Sequence, residues 1–438
     1  LICGADSGAP WTRAGVWADR GVPPLAVDLR SDTVARPCAG MRRAIARAAV
    51  GDADYGEDPA LNELQRQAAG TLGTESALFV PTATMANLIA VICHCQRRGA
   101  QLFLGQDTHL HLSEHGGAAQ LRVAGVHSQA PPDLPNGTFD LDQLELTICE
   151  AHSSQYHMRP ELICLENTHI SAGGCPSDSQ VRGLADRYGL RVHMDGARLM
   201  NAAVAQGVEP AQIAQHCDSG VIPLWALRGL GAPSGAVLAG CREFVAEAWC
   251  VRQLLGGGMR QVGVLAAAAH LGLQHTEVML RRDHNNAQHF VEGIHVLNSP
   301  LWSINLAAVK TNIAMVNVQG TWPSPAELCD RLCAISAEVA ETGQAVSVLL
   351  LPWSAQTVRA VWHRNISAVT LSSQGESWNL WPGSARKNWP WDCIRCFKAP
   401  GEPEHSASPA AAAVRQPKGL LLGTHLEPLC PPDEFPAI

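Results

Sequence analysis

An aspartate and an arginine follow an apolar segment that has the length of a buried strand. Residues 190–194 (LRVHM) precede Asp195, and Gly196 and Ala197 separate it from Arg198. If the segment is a strand of an open α/β sheet, Asp195 lies at its carboxyl end, where such sheets bind ligands. A carboxylate there can bind a protonated ring nitrogen, and a guanidinium can bind a substrate carboxylate. The alternative is an aspartate that caps the next helix and an arginine on a solvated surface.

A second segment, residues 77–95 (ALFVPTATMANLIAVICHC), combines an apolar strand, a short polar turn and a helix. The first turn of a helix presents unpaired N–H groups and the positive end of the helix dipole, so it is suited to bind a phosphate. Thr82 and Thr84 add hydroxyl groups to the turn, with Ala83 between them. The segment therefore predicts a phosphate site at residues 82–84.

Histidines occur in two segments that could contribute to the same site. His109, His111 and His115 lie close together in residues 101–121, and an ordinary surface or core role is the default for each. The apolar segment ELICLENTH predicts a buried strand that is followed by His169. A histidine at a strand end can act as acid or base near neutral pH.

Length and composition favour an ordinary globular protein of about two domains. The chain has 438 residues, of which 46% are hydrophobic and 16% charged, and its formal net charge is -8. This charge excludes electrostatic binding of nucleic acid or of an acidic membrane as the main function. The apolar runs are shorter than the roughly 18 residues that a membrane-spanning helix needs.

Fifteen cysteines are scattered without the regular spacing of a secreted disulfide framework. We expect most of them to be reduced. Two clusters could bind a metal ion, residues 93–95 (Cys-His-Cys) and the pair Cys393 and Cys396. Neither has a second ligand pair at zinc-finger spacing, so we predict no metal site.

Four motifs together resemble one family. They are DLRSDT at residues 28–33, LENTH at 165–169, DGAR at 195–198 and GGGMRQ at 256–261. In this order and spacing they resemble the low-specificity and allo-threonine aldolases, over residues 27–368. The resemblance implies an α/β chain of the fold type I pyridoxal 5′-phosphate (PLP) class, with a mainly parallel sheet in its large domain. It also implies cleavage of β-hydroxy-α-amino acids to glycine and an aldehyde.

The same resemblance assigns roles to individual residues. Those implied to bind the cofactor are Thr82, Ala83, Thr84, His109, Asp195, Arg198 and Arg260, with His109 stacked on the pyridine ring. Those implied to bind the substrate are Ser31, Tyr55, Arg198 and Arg359. His169 is implied to assist proton transfer at the substrate hydroxyl. Ala83 replaces a family glycine, which weakens the phosphate site. Packing alone would explain Tyr55, and an ordinary surface position would explain Arg359.

The lysine that forms the Schiff base in this family is missing here. Its position is occupied by Arg228, in a segment about two residues longer than the family's. A guanidinium has no free lone pair, because its pKa is above about 12. The only lysines in the chain are Lys310, Lys387, Lys398 and Lys418. Gln253 replaces a second family lysine, before the glycine motif.

Two kinds of function follow from this substitution. The first is PLP-dependent cleavage of L-threonine or L-allo-threonine to glycine and acetaldehyde, which we expect to be weak or absent, with any PLP held non-covalently. The second is a non-catalytic relative or a partner subunit of an active homologue. Other fold type I enzymes, such as aminotransferases or cysteine desulfurases, fit Asp195 but not the LENTH and GGGMRQ motifs. We expect a homo-oligomer, a dimer or tetramer, in the cytoplasm or in mitochondria.

We predict four segments along the chain. Residues 1–26 carry no fold prediction, 27–274 form the large PLP-binding domain, 275–368 form a small α/β domain, and 369–438 are a disordered tail. The expected helices include one with Leu61, Leu64, Ala68 and Leu72 facing the core, and others at residues 241–255, 262–274, 275–296 and 326–342. Strands are expected at residues 312–318 and around Arg359.

Overall fold

The computed structural model describes residues 26–114, 123–134, 136–153, 155–169, 178–224, 231–274, 276–297, 299, 301–320, 323–333 and 347–366. The start of the chain, the predicted tail and the segment that contains Arg228 lie outside the described residues. So do His115 and the possible metal ligands Cys393 and Cys396. None of the described helices is long and apolar enough to cross a membrane.

The elements alternate between strands and helices through most of the chain. In order, the first half contains β1 (Ala26–Asp28), α1 (Ala39–Arg47), α2 (Pro59–Leu72), β2 (Ser76–Val80), α3 (Ala83–His94), β3 (Ala100–Phe103), α4 (His109–Leu112), β4 (His127–Gln129), α5 (Leu141–Ser153), β5 (Arg159–Glu166), α6 (Asp178–Tyr188), β6 (Arg191–Asp195), α7 (Leu199–Gln206), α8 (Pro210–Ala214) and β7 (Ser219–Pro223). Then follow β8 (Ala236–Gly240), α9 (Arg242–Leu254), α10 (Gly263–Gln274), α11 (Thr276–Leu297), β9 (Trp302–Ser303), β10 (Ile313–Val318), α12 (Pro325–Cys333), β11 (Ser347–Leu349), β12 (Leu351–Pro352) and β13 (Thr357–Val361). The alternation is typical of an α/β protein.

The central sheet has seven strands in the order β2-β8-β7-β6-β5-β3-β4. Strands β4, β3, β5, β6 and β7 are parallel to one another, and β8 runs antiparallel to both β7 and β2. The prediction of a mainly parallel sheet is therefore confirmed. Because β2 points the same way as β7, the carboxyl ends of β2, β5 and β6 lie along one edge of the sheet.

Helices cover both faces of this sheet. Successive side chains of a strand point to opposite faces, so neighbouring residues pack against different helices. Along β2, Phe79 packs in a cluster with Leu64 of α2. Leu78 packs in a different cluster with Ile89 of α3 and Ala248 of α9. The predicted core face of α2 is confirmed, because Leu61, Leu64, Ala68 and Leu72 are all buried. Burial on both faces fixes the register of the strands, and so the residues that follow them.

Two smaller sheets are built from the strands after β8 together with β1. Strands β12, β13, β10 and β9 form an antiparallel sheet, and β1 pairs parallel with β11. The strands predicted at residues 312–318 and around Arg359 are thus confirmed as β10 and β13. The pairing of β1 brings the start of the DLRSDT motif against residues more than three hundred positions away, which local sequence patterns do not predict. Of the helix predicted at 326–342, residues 325–333 are described and helical. The domain bounds remain a prediction.

Candidate functional site

Asp195 ends β6 and is 4% exposed. Its Oδ2 accepts a hydrogen bond from Asn87 Nδ2 at 3.0 Å, and its Oδ1 accepts one from the backbone N–H of Ala197 at 3.0 Å. The next helix, α7, has Arg198 and not Asp195 at its N-cap position. The alternative in which Asp195 caps that helix is therefore wrong, and its carboxylate is fixed at the edge of the sheet by a side chain of α3.

A buried chain of hydrogen bonds holds Asn87 in this position. Asn87 Oδ1 lies 3.2 Å from His193 Nε2, His193 Nδ1 lies 2.8 Å from Ser219 Oγ, and His94 Nε2 lies 2.7 Å from the same oxygen. Since Asn87 donates from its nitrogen to Asp195, its oxygen accepts from His193. His193 Nδ1 then accepts from the Ser219 hydroxyl, which accepts from His94.

Both imidazoles in this chain are neutral at physiological pH. Burial lowers the pKa of His193 to about 3, with a smaller contribution from His94. Burial also lowers the pKa of His94 to about 4. The directions of the hydrogen bonds given above are consistent with these neutral forms, in which each ring donates from one nitrogen only. Sequence analysis did not find this network, since its members come from α3, β6 and β7.

A second carboxyl group lies beside Asp195. Asn87 Nδ2 is 3.2 Å and 3.3 Å from the two oxygens of Glu114, so its amide group bridges Glu114 and Asp195. Burial, and secondarily the charge of Asp195, raise the pKa of Glu114 to about 8. Glu114 is therefore mostly protonated at neutral pH and adds little negative charge to this part of the site.

His109 lies at the start of α4 with its side chain 33% exposed. Its backbone N–H donates to Glu166 Oε2 at 2.9 Å, and its Nε2 is 3.7 Å from Glu114 Oε1. The end of β5 and Glu114 thus hold His109 beside the pair formed by Glu114 and Asp195. This placement suits the predicted stacking of His109 on a ring bound at Asp195, which remains a prediction.

Arg198 is 1% exposed, so the alternative of an arginine on a solvated surface is wrong. Its Nε is 3.3 Å from Oδ2 of the fully buried Asp32, which also accepts from Asn312 Nδ2 at 3.3 Å. Nη1 of Arg198 has no hydrogen-bond partner within the described part of the chain. Both polar atoms of the buried Asn167 side chain likewise have no partner there.

Arg198 and Asn167 are adjacent, because the backbone N–H of Arg198 donates to the Asn167 carbonyl oxygen at 3.0 Å. The backbone N–H of Asn167 in turn donates to the carbonyl oxygen of Asp195 at 2.9 Å. Buried polar groups rarely stay unpaired, since each costs roughly 1–3 kcal/mol. Unpaired donors and an unpaired acceptor beside Asp195 therefore indicate a site for a polar ligand.

The predicted phosphate site lies at the start of α3. Thr82 is the N-cap residue, and its hydroxyl accepts from the backbone N–H of Met85 at 3.1 Å. The hydroxyl of Thr84 bonds to Glu114, and Ala83 is buried. A Cβ at Gly257 would overlap the sulfur of Met85, so the GGGMRQ motif packs against the first turn of α3. The residues of both motifs are thus brought together.

Arg260, from the same motif, contacts two aspartates rather than the start of α3. Its side chain is 63% exposed, and Nη1 lies 2.7 Å from Asp54 Oδ2 and 3.4 Å from Asp52 Oδ1. A different arginine, Arg252, is buried near Gly257 and donates from Nη1 to the Phe79 carbonyl oxygen at 2.8 Å. Its position at the end of α9 gave no signal in the sequence. A contact of Arg260 with a phosphate remains a prediction.

Of the predicted substrate-binding residues, Arg359 is 5% exposed, so the surface alternative is wrong. Its guanidinium lies 4.3 Å from the centre of a Trp353 ring, and Nη2 is 3.4 Å from the Arg30 carbonyl oxygen. Ser31 lies between Arg30 and Asp32, so the segment that carries it contacts Arg359 on one side and Arg198 on the other. The structure thereby brings Ser31 and both arginines together.

Tyr55 is 77% exposed, in a turn before α2. Packing within this chain therefore does not explain it. A contact with the substrate remains a prediction.

His169 is 2% exposed and follows β5. Its Nε2 lies 3.6 Å from Asp133 Oδ2, and both side chains line a small pocket with Thr108 and Glu166. Burial, the largest influence, lowers the pKa of His169, but Asp133, Glu166 and Asp107 outweigh it and leave the pKa raised. Sequence analysis found His169 and missed Asp133, which lies in a loop without a motif.

Some of the cysteines and lysines discussed above lie in the described part of the chain and others do not. Burial raises the pKa values of Cys93 and Cys95 to about 12, and His94 bonds to Ser219. Among the described residues no group of three or more His, Cys, Asp or Glu side chains is arranged to hold a metal ion. Lys310 is the one lysine in the described part, and it is exposed.

Comparison with known proteins shows the family to which this chain belongs. The model of the beta-eliminating lyase family matches residues 28–321. The chain belongs to the beta-eliminating lyase family. It is 39% identical over 349 residues to a protein of Arabidopsis thaliana named probable low-specificity L-threonine aldolase 2, covering 79% of this chain and 94% of that one. It is 41% identical over 268 residues to the low specificity L-threonine aldolase of Escherichia coli K12, covering 61% and 78%.

The fold is also that of solved structures. A putative L-allo-threonine aldolase of Listeria monocytogenes superposes with a TM-score of 0.61, at 19% identity, over 78% of this chain and 93% of that one. The fold type I class predicted from the motifs is thus confirmed, and PLP is the cofactor of this family.

The described residues fit PLP at two of its three anchoring points. Asp195, which the motif resemblance implies to bind the ring nitrogen, is held by Asn87, with the unpaired groups of Asn167 and Arg198 beside it. The start of α3 offers a hydroxyl and helix N–H groups to a phosphate. No buried lysine is present in the described part for the third, covalent point, and Arg228 lies outside that part.

Proposed function

We propose that this beta-eliminating lyase holds PLP reversibly and cleaves L-threonine or L-allo-threonine to glycine and acetaldehyde weakly or not at all. The observation that carries this proposal is the absence of any lysine before Lys310 in the sequence. Lys310 itself is exposed, in the segment just before β10. The named relatives support the reaction type, and Arg228 supports its impairment.

The chain's own residues support each part of the family reaction except covalent capture. Bound PLP would supply an electron sink for the carbon–carbon bond that breaks. Asp195, fixed by Asn87, would keep the ring nitrogen protonated. Arg198 and Arg359, with Ser31 between their contacts, would bind the substrate carboxylate. His169 would accept the proton of the substrate hydroxyl.

Arg228 cannot replace the missing lysine. A lysine amine loses its proton readily when it is desolvated, which exposes a lone pair for attack on an aldehyde carbon. A guanidinium keeps its proton even when buried, because its pKa is above about 12. Without the lysine, the chain also lacks an internal amine that could displace the product.

A non-catalytic function is the alternative. Such a chain could act as a subunit that pairs with an active homologue. It would keep PLP or an amino acid at Asp195 and Arg198 without turnover. We propose a homo-oligomer, a dimer or tetramer, with a small-molecule amino-acid ligand in either case, and a cytoplasmic or mitochondrial location.

Covalent labelling tests the proposal directly. The purified chain is incubated with PLP, reduced with borohydride and measured by intact-mass spectrometry, and glycine release from L-threonine is assayed separately. We expect no covalent mass increase and glycine release near the background rate. A stoichiometric PLP adduct on the wild-type chain would overturn the proposal.

Arg228→Lys, alone and with the preceding segment shortened by two residues, provides the gain-of-function arm. We expect a PLP adduct on Lys at this position and an increase in glycine release. Arg242→Lys is the matched control, since Arg242 is exposed at the start of α9 and adds a lysine elsewhere. An adduct without glycine release would show that the substrate side of the site is impaired as well.

A further inference from the structure

His169 has an acidic neighbour that no motif indicates. Asp133 lies in the loop between β4 and α5, 36 residues before His169 in sequence, and its Oδ2 is 3.6 Å from His169 Nε2. The side chains are 5% and 3% exposed. At 3.6 Å the contact is slightly longer than a hydrogen bond, and it is an ion pair only when His169 is protonated. Such contacts in ligand-free sites often shorten when substrate binds.

The Asp133 carboxylate is held in place independently of His169. The backbone N–H of Asp107 donates to Asp133 Oδ2 at 2.7 Å. The N–H of Gln106 donates to the Pro131 carbonyl oxygen at 3.0 Å, which joins the two loops. A Cβ at Gly105 would overlap the Asp133 carboxylate, so the lack of a side chain at Gly105 makes room for it. Three features of the loops therefore place one carboxylate against one ring nitrogen.

We propose that Asp133 is the positioning residue for His169, which it holds in the tautomer with the proton on Nε2. A carboxylate beside one ring nitrogen favours the proton there and leaves the lone pair on the other nitrogen. The role of that lone pair in catalysis rests on the function proposed above, whereas the pairing itself does not.

The proton transfer that follows is simple. The O–H bond of the substrate breaks, its proton bonds to the imidazole of His169, and the electron pair stays on the substrate oxygen. The imidazolium that forms faces Asp133, Glu166 and Asp107, all of which raise the pKa of His169. The side chain of Asp133 lies within ion-pair distance of the ring, at 3.6 Å. It therefore stabilises the charged ring while it also fixes the tautomer, as in other His–Asp pairs.

The test is nuclear magnetic resonance of the full chain with labelled histidines, without cofactor. The His169 signals are assigned by their loss in His169→Gln, which is needed because the chain has 18 histidines. The titration midpoint of His169 and the ¹⁵N shifts of its ring are then measured in wild type and in two variants. Asp133→Asn removes the charge, and Gly105→Ala displaces the carboxylate without removing it.

We expect the pKa of His169 to fall by about one pH unit or more in both variants, as for loss of an opposite charge at this distance. We also expect the Nε2–H tautomer to lose its predominance. Asp142→Asn is the charge-matched control, because Asp142 is exposed in the first turn of α5. Gly70→Ala is the steric control, because a Cβ there meets open space in α2. Neither control should change His169.

An unchanged midpoint and tautomer in Asp133→Asn would overturn the proposal. If that variant does not fold, the same result in Gly105→Ala overturns it. Because the measurement uses cofactor-free protein, it is independent of turnover. A chain with the expected His169 signals and a stoichiometric PLP adduct on the wild-type protein would contradict the proposed function alone.

Discussion

Replacing Asp32 with asparagine tests the buried ion pair on which the position of Arg198 depends. Asp32 is 0% exposed and Arg198 1% exposed, and their nearest atoms are 3.3 Å apart. Removal of one partner from a buried pair leaves the other charge uncompensated, which costs about 3–5 kcal/mol. An asparagine keeps the shape of Asp32 and an oxygen that can accept from Asn312, so the loss is that of the charge.

The nearby Asp283 reduces the expected effect. Burial, and to a smaller extent the charge of Asp32, raise the pKa of Asp283 to about 6, so the two carboxyl groups repel each other. Because Asp32→Asn relieves this repulsion, we expect the lower end of the range, about 3 kcal/mol. With an unfolding entropy of about 2.1 cal/mol/K per residue over the roughly 300 described residues, this corresponds to a fall in Tm of about 5 °C.

Thermal unfolding followed by circular dichroism at pH 7.5, without cofactor, measures this change. Asp186→Asn is the matched control, because Asp186 also pairs with an arginine, Arg182, at 2.5 Å but has a side chain that is 66% exposed. Surface pairs contribute about 0–1 kcal/mol, so its Tm should change by less than about 2 °C. A change for Asp32→Asn no larger than that of the control would refute the reasoning.

Two further predictions concern the elements around Asp195. Since the folded pKa values of His94 and His193 are lowered to about 4 and about 3, the unfolded chain binds more protons below about pH 6.5. The Tm advantage of wild type over His193→Gln should therefore shrink as the pH falls from 7 to 4.5 in thermal scans, and a constant difference would contradict the lowered pKa. Gly196→Ala places a Cβ 2.6 Å from the Val221 carbonyl oxygen, so we expect a loss of about 1–3 kcal/mol in denaturant unfolding. Gly70→Ala, in open space, should show no loss.

The residues that could be predicted from the sequence are those that directly follow a strand or begin a helix. Asp195, His169 and Thr82 each follow an apolar segment of strand length, and the carboxyl ends of parallel strands meet at one edge. The helical spacing of its buried leucines likewise predicted α2 from the local sequence. These predictions need only local periodicity and the rule that ligands bind at that edge.

The residues that support them could not be predicted, because each contacts its partner across a large separation in sequence. Asn87 and Asp195 are 108 positions apart, and Asp32 and Arg198 are 166 apart. Asp133 reaches His169 through a loop whose path depends on Gly105. A lone Asn in an apolar helix or an Asp in a Pro-rich loop has no periodic signal, so only the tertiary structure shows the role.

The unpaired polar groups of Asn167 and Arg198 can contribute to reversible binding of PLP even if no covalent bond forms. A ligand that hydrogen-bonds to them removes a cost of about 1–3 kcal/mol for each buried group, whether or not a lysine is present. Asp195 and its network through Asn87 are likewise complete without Arg228. A chain with this substitution should therefore still be stabilised by PLP, with a rise in Tm that grows with the logarithm of ligand concentration. Under the proposed function, Arg228 prevents the chemical step while the described binding residues remain, which is the physical basis of the proposed non-catalytic relative that still holds the cofactor.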